Sequence, residues 1–183
     1  MTALVLYESM FGNTRRIAEA IGDGLAEVTD VRVDLVSAVA DPTADLVVIG
    51  APTHAHSLPR PSSREDAATW SRDAERHFAL EPDAAAPGVR EWLDALTTAP
   101  VAWAAFGTRV DIPRIFAGDA SAAIEKRLRR LGSRAAAPSE CFLVSLDNEL
   151  VDGELERARE WGRSLGRIAL ERHSSNLEHG SPG

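Results

Sequence analysis

At 183 residues, 44% of them apolar, the chain has enough hydrophobic material for one domain with a proper core. Its formal charge of −8 argues against nucleic acid as a partner, because proteins that neutralise a phosphate backbone present a basic face. No apolar run approaches the roughly 20 residues that span a bilayer, and no basic, apolar leader precedes the first strand, so the expectation is a soluble cytoplasmic protein without a membrane partner.

Ala3-Leu4-Val5-Leu6-Tyr7 is a short apolar run with no polar face, as in a central strand of a parallel sheet covered on both sides. From Thr14 onward, Ile17, Ala18, Ile21, Leu25 and Val28 recur at helical spacing and predict a first crossover helix with one buried stripe. Val31 to Leu35 alternates apolar and charged residues, which predicts an edge strand. Leu46 to Gly50 is again wholly apolar and predicts another central strand, running into Ala51-Pro52-Thr53. This alternation is that of a doubly wound α/β domain.

The stretch from about 54 to 87 is long for a connection and reads as an insertion. Ser62-x-x-Glu65 fits a capping box, so a helix is expected from Ser63 through Trp70 towards Phe78, followed by a loop over 81–88. Such an excursion at the carboxyl end of a strand is either a binding-site wall or a tolerated surface insertion. Val89 to Leu96 predicts a short helix, Pro100 to Phe106 a fourth strand, and Gly107 to Pro113 a loop. Ser121 to Leu131 predicts a helix ended by Gly132. Cys141 to Val144 predicts a fifth strand with a buried cysteine, and Glu154 to Leu170 a last helix. The expected domain covers 1–172, with 173–183 as an unstructured tail.

The chemistry concentrates where the first strand meets the first helix, at Ser9-Met10-Phe11-Gly12-Asn13-Thr14. The first amides of a helix lack intrahelical acceptors and the macrodipole is positive there, so this turn makes a socket for an anion. Ser9 and Thr14 offer hydroxyl donors, Gly12 permits close backbone approach, and Asn13 supplies an amide or a cap. Neither a Gly-x-x-x-x-Gly-Lys-Ser/Thr loop nor a Gly-x-Gly-x-x-Gly fingerprint follows the first strand. No Gly-x-Ser-x-Gly elbow surrounds Ser9, which removes the nucleophile reading. His54 and His56 have the spacing to share a metal ion, but no third ligand accompanies them, so no metal is expected.

With Ser9, Gly12 and Thr14 matching Ser/Thr-x-Thr-Gly-x-Thr, and Phe11 in place of the middle hydroxyl, the sequence resembles the flavodoxin family over Ala3 to Leu170. The resemblance implies a five-stranded parallel sheet of order 2-1-3-4-5 and an FMN cofactor whose phosphate lies against Ser9 to Thr14. It also carries the flavin ring to Pro52, Thr53 and His54 after the third strand and to Phe106, Gly107, Thr108 and Arg109 after the fourth. Members usually stack a Trp or Tyr on the ring. Neither loop has one, and His54, His56 or Trp70 is the available substitute. Arg109 near the ring would favour an anionic reduced flavin and Asp111 would oppose it. The implied role is electron transfer with a reductase or acceptor protein, or reduction of a quinone-like small molecule. The alternative on the same fold is a flavin-free regulatory or interaction protein, and carrier and enzyme are both left open.

Overall fold

The computed structural model describes residues 1–73 and 78–179. Strands β1 (Thr2–Tyr7), β2 (Asp30–Leu35), β3 (Leu46–Pro52), β4 (Trp103–Val110) and β5 (Glu140–Val144) form one sheet of order β2-β1-β3-β4-β5. Every pairing is parallel. The fully apolar strands are the buried inner ones, and the alternating β2 lies at an edge, as their patterns predict.

Helices cover both faces. α1 (Asn13–Ala26) and α6 (Glu154–His179) pack on one, where Ile17, Ile21, Leu25, Ala158 and Leu165 meet Val5, Val48 and Phe106. On the other, α3 (Val89–Ala95) and α5 (Ala120–Arg130) bring Val89, Trp92, Leu93, Ile124 and Leu128 against Leu6, Ile49 and Trp103. A short helix α4 (Arg114–Ala117) interrupts the connection before α5. Because β1 and β3 are neighbours whose connections leave to opposite faces, a crevice opens beyond their carboxyl ends.

The excursion between β3 and α3 begins with a tight hairpin at 54–57 and contains α2 (Pro61–Trp70). α2 starts two residues before the expected Ser63, with Pro61 at its first position and Ser63 Oγ accepting from the Arg60 N–H at 3.1 Å. It ends at Trp70, and the expected run towards Phe78 crosses 74–77, outside the described residues. A separate small core of Met10, Ala67 and Ala84, with Phe11 and Leu80 against it, holds the excursion to the body.

Three other expectations differ. β4 is not over at Phe106: Pro52 of β3 pairs with Thr108 and Val144 of β5 with Val110, and this two-sided pairing extends the strand through the residues expected to form a loop. α6 continues past Leu170 to His179, since no glycine or proline interrupts it before Gly180; residues 180–183 of the expected tail lie outside the described residues. Cys141 is half-buried rather than buried because β5 is an edge strand.

Candidate functional site

α1 begins at Gly12, whose φ of +87° is left-handed and turns the chain from β1 into the helix. No side chain caps this end and its first turn holds no acid, so the first-turn amides and the positive end of the dipole are left without a capping side chain. Ser9 Oγ accepts from the Gly12 N–H at 3.1 Å, which folds the turn and leaves the hydroxyl proton to donate elsewhere. Thr14 Oγ1 lies 2.8 Å from Thr108 Oγ1. Extending β4 is what brings Thr108 there.

These groups open onto a cleft of about 160 Å³ lined by residues of the first turn, of the β3 and β4 ends, of the excursion and of the segment after β5. Of the residues singled out in the sequence, Ser9, Met10, Phe11, Asn13, Thr14, Pro52, Thr53, His54, Thr108 and Arg109 line it. Gly12 shapes the turn from outside the lining. Phe106 and Gly107 do not reach it. The Phe106 ring is fully buried, packs edge-on against Phe142 and fills the notch left by Gly50, where a Cβ would collide with it. Gly107, on the opposite face of the same strand, lies against Ala120 and Ser121.

Asn13 caps nothing. Its Nδ2 donates instead to the backbone oxygen and to Oδ1 of Asn148, both at 2.9 Å, and ties the start of α1 to the loop after β5. That loop contributes Ser145, Leu146 and Asn148 to the cleft, which sequence reading missed. The only signal was the polar Ser145 to Asn148 at the carboxyl end of a strand.

The excursion supplies the aromatic wall. Trp70 lies with its ring 5.6 Å from that of His54, tilted by 34°, and Phe78 packs 5.2 Å from Phe11. Trp70 and Phe78 both line the cleft, whereas His56 is exposed and does not. His56 and Ala55 are the central residues of the hairpin, at φ of 67° and 45°, with His54 and Ser57 exchanging both backbone hydrogen bonds. The His54 imidazole faces Trp70 and, at 3.9 Å, Asp66, so the two histidines do not converge. Among the described residues no three His, Cys, Asp or Glu side chains cluster as a metal site would require.

Glu8 was not singled out in the sequence, yet it is only 6% exposed. It accepts from Arg64 Nη1 at 3.1 Å and from the Val89 N–H at 3.0 Å, while Arg64 Nη2 reaches Glu91 at 2.8 Å. Burial pushes the Glu8 carboxyl above its ordinary value, outweighing the Val89 N–H and the Arg64 guanidinium that favour the charged form. Glu91 moves the other way: burial opposes the charge, but the bonds from Arg64 and the Gly88 N–H prevail. Across the crevice, Arg109 Nη1 donates to the carbonyl oxygens of Val110 and Ile112, and its Nε is buried without a hydrogen-bond partner among the described residues.

An open parallel sheet of this order, with helices on both faces and a cleft at its switch point, defines the doubly wound class of α/β domain. Within that class the flavodoxin family model matches residues 5–162, and the chain belongs to the flavodoxin family. Among solved structures, an archaeal flavodoxin superposes with a TM-score of 0.60 at 20% identity, covering 93% of this chain and 99% of that one. Oxidised flavodoxin 1 from Bacillus cereus gives 0.61 at 16% identity, covering 91% and 98%. The flavodiiron protein from Giardia intestinalis gives 0.58 at 17% identity, covering 96% of this chain but 37% of that one. No curated protein matches the chain by sequence. Among the described residues no helix is long and apolar enough to cross a membrane.

Proposed function

We propose that the chain binds FMN in this cleft and exchanges electrons with a protein partner. The observation that carries the reading is the convergence of the Ser9 and Thr14 hydroxyls with an uncapped α1 amino terminus, beneath walls that include His54, Trp70 and Phe78. The donor set fits the cofactor: neutral hydroxyls and backbone amides suit a phosphate, and the aromatic side chains suit a planar ring. Arg109, which also lines the cleft, suits a ring that gains negative charge on reduction. FMN, when bound, supplies one- and two-electron chemistry, and the protein supplies position, electrostatics and access.

In this reading Ser9, Thr14 and the first-turn amides hold the phosphate. Trp70 takes the place of the aromatic residue that the loops after β3 and β4 lack. Arg109 puts positive charge beside the ring.

The rim favours a protein partner. Val110 and Leu146 border the cleft, and Leu146, Ile115 and Phe116 are 78%, 81% and 66% exposed. Exposed Asp111, Asp147 and Glu149 lie among them in sequence. Apolar side chains interspersed with acidic ones suit a partner with a hydrophobic centre and a basic rim.

Titrating freshly purified protein with FMN tests the reading. Quenching of flavin fluorescence to a one-to-one end point is the expected result, and no quenching at saturating FMN would reject it. Loaded protein that oxidises NAD(P)H unaided would make it an enzyme rather than a carrier.

A further inference from the structure

The turn after β1 is built jointly with the excursion between β3 and α3. Glu8 is bound by Arg64 of α2. The Met10 backbone oxygen accepts from the Glu81 N–H at 2.8 Å, and the Met10 side chain packs with Ala67 and Ala84. Phe11 meets Phe78. Beside Gly12, a Cβ would lie 3.2 Å from Glu81 Oε1, and that carboxylate takes Arg15 Nε at 3.0 Å. Ser9 bonds within the turn itself, accepting from the Gly12 N–H.

We propose that the excursion is a clasp that preorganises the anion cradle, with Arg64 as its positioning residue; the inference rests on the FMN reading. Arg64 and Glu81 do not line the cleft, so they act through the backbone they hold. Arg64 is 8% exposed and its guanidinium forks between Glu8, the residue before Ser9, and Glu91 at the start of α3. It thereby fixes the phosphate turn to the helix that carries Trp70. A turn held in its binding geometry spares the ligand the ordering cost that a loose turn imposes. Arg64 bonds directly to Glu8 in the phosphate turn, whereas Trp70 stands on α2 itself and packs against His54, so the gain falls mainly on the phosphate.

FMN and riboflavin differ by that phosphate, and their affinities separate the two parts. Wild-type protein should prefer FMN. Arg64→Met should lower FMN affinity at least about tenfold and riboflavin affinity less, so that the ratio of the two shrinks. Glu81→Gln, at a half-exposed ion pair whose loss the fold tolerates, should shrink the ratio in the same direction by about two- to threefold, and it decides the matter if Arg64→Met does not fold. A general loosening of the domain would weaken both ligands alike and leave the ratio unchanged. An unchanged ratio in folded variants overturns the clasp while leaving the FMN reading intact. A rise in FMN affinity in Glu81→Gln also overturns it, because a released Arg15 would then be contacting the phosphate directly. Equal wild-type affinities for the two flavins remove the phosphate cradle and the clasp together. Wild-type protein that binds neither flavin overturns the FMN reading and the clasp with it.

Discussion

Thr14 Oγ1 and Thr108 Oγ1 sit 2.8 Å apart with both residues buried, so the hydroxyl at the start of α1 is aimed by a residue at the end of β4. Replacing Thr14 by Val removes the proposed phosphate donor and should weaken FMN binding by about tenfold. Thr108→Val should weaken it less, by releasing the rotor of Thr14. Each change should cost roughly 1 kcal/mol of stability for the lost bond. Flavin fluorescence titrations and urea midpoints check both, and unchanged affinity in both variants would put the phosphate elsewhere.

Trp70 and His54 close one wall of the cleft through a tilted ring contact. Trp70→Ala should weaken FMN by about 0.5–1.5 kcal/mol, and Trp70→Phe should retain most of the affinity. Intrinsic fluorescence offers an independent readout: FMN should quench Trp70, and the Trp70→Phe variant should lose that fraction of the quenching. Equal quenching in both proteins would remove Trp70 from the ring site.

Glu8 makes stability depend on pH in an unusual direction. Its carboxyl holds a proton to higher pH in the folded protein than in the unfolded chain, so between those two values the native state binds more protons. Its contribution to stability is therefore fully present below the unfolded value of about 4.5 and declines as pH rises through the folded one. The difference in unfolding free energy between wild type and Glu8→Gln should fall over that window. A difference that rises with pH would show the carboxylate to be favoured by Arg64 outright.

The 54–57 hairpin places Ala55 and His56 at φ of 45° and 67°, a region that Asn and Gly occupy more readily. Neither residue lines the cleft. The double replacement Ala55→Asn with His56→Gly should stabilise the domain by about 1 kcal/mol while leaving FMN affinity within about twofold. Urea denaturation measures the first and titration the second.

The strand order was legible because Ala3–Tyr7 and Leu46–Gly50 are uniformly apolar and Val31–Leu35 alternates, which sorts inner strands from edge. The first turn was legible because its chemistry is local. What escaped was set by pairing between distant segments. β4 extends over Gly107 to Val110 only because β3 and β5 flank it, and that extension buries Thr108, normally a loop residue by composition. Glu8 reads as an ordinary surface carboxylate until Arg64, 56 positions later, is folded over it. Asn13 reads as a cap, and its partner Asn148 is 135 positions away.

The pairing of Glu8 with Arg64 also limits how this turn can be moved. Residues 7–14 transplanted alone into another scaffold would carry a carboxylate into a buried position with no guanidinium to meet it, at a cost of several kcal/mol. A transplant that works would take α2 and the Glu81 segment along with the turn, or exchange Glu8 for a small neutral residue. The exchangeable module of this protein is thus discontinuous, made of two stretches separated by β2 and β3.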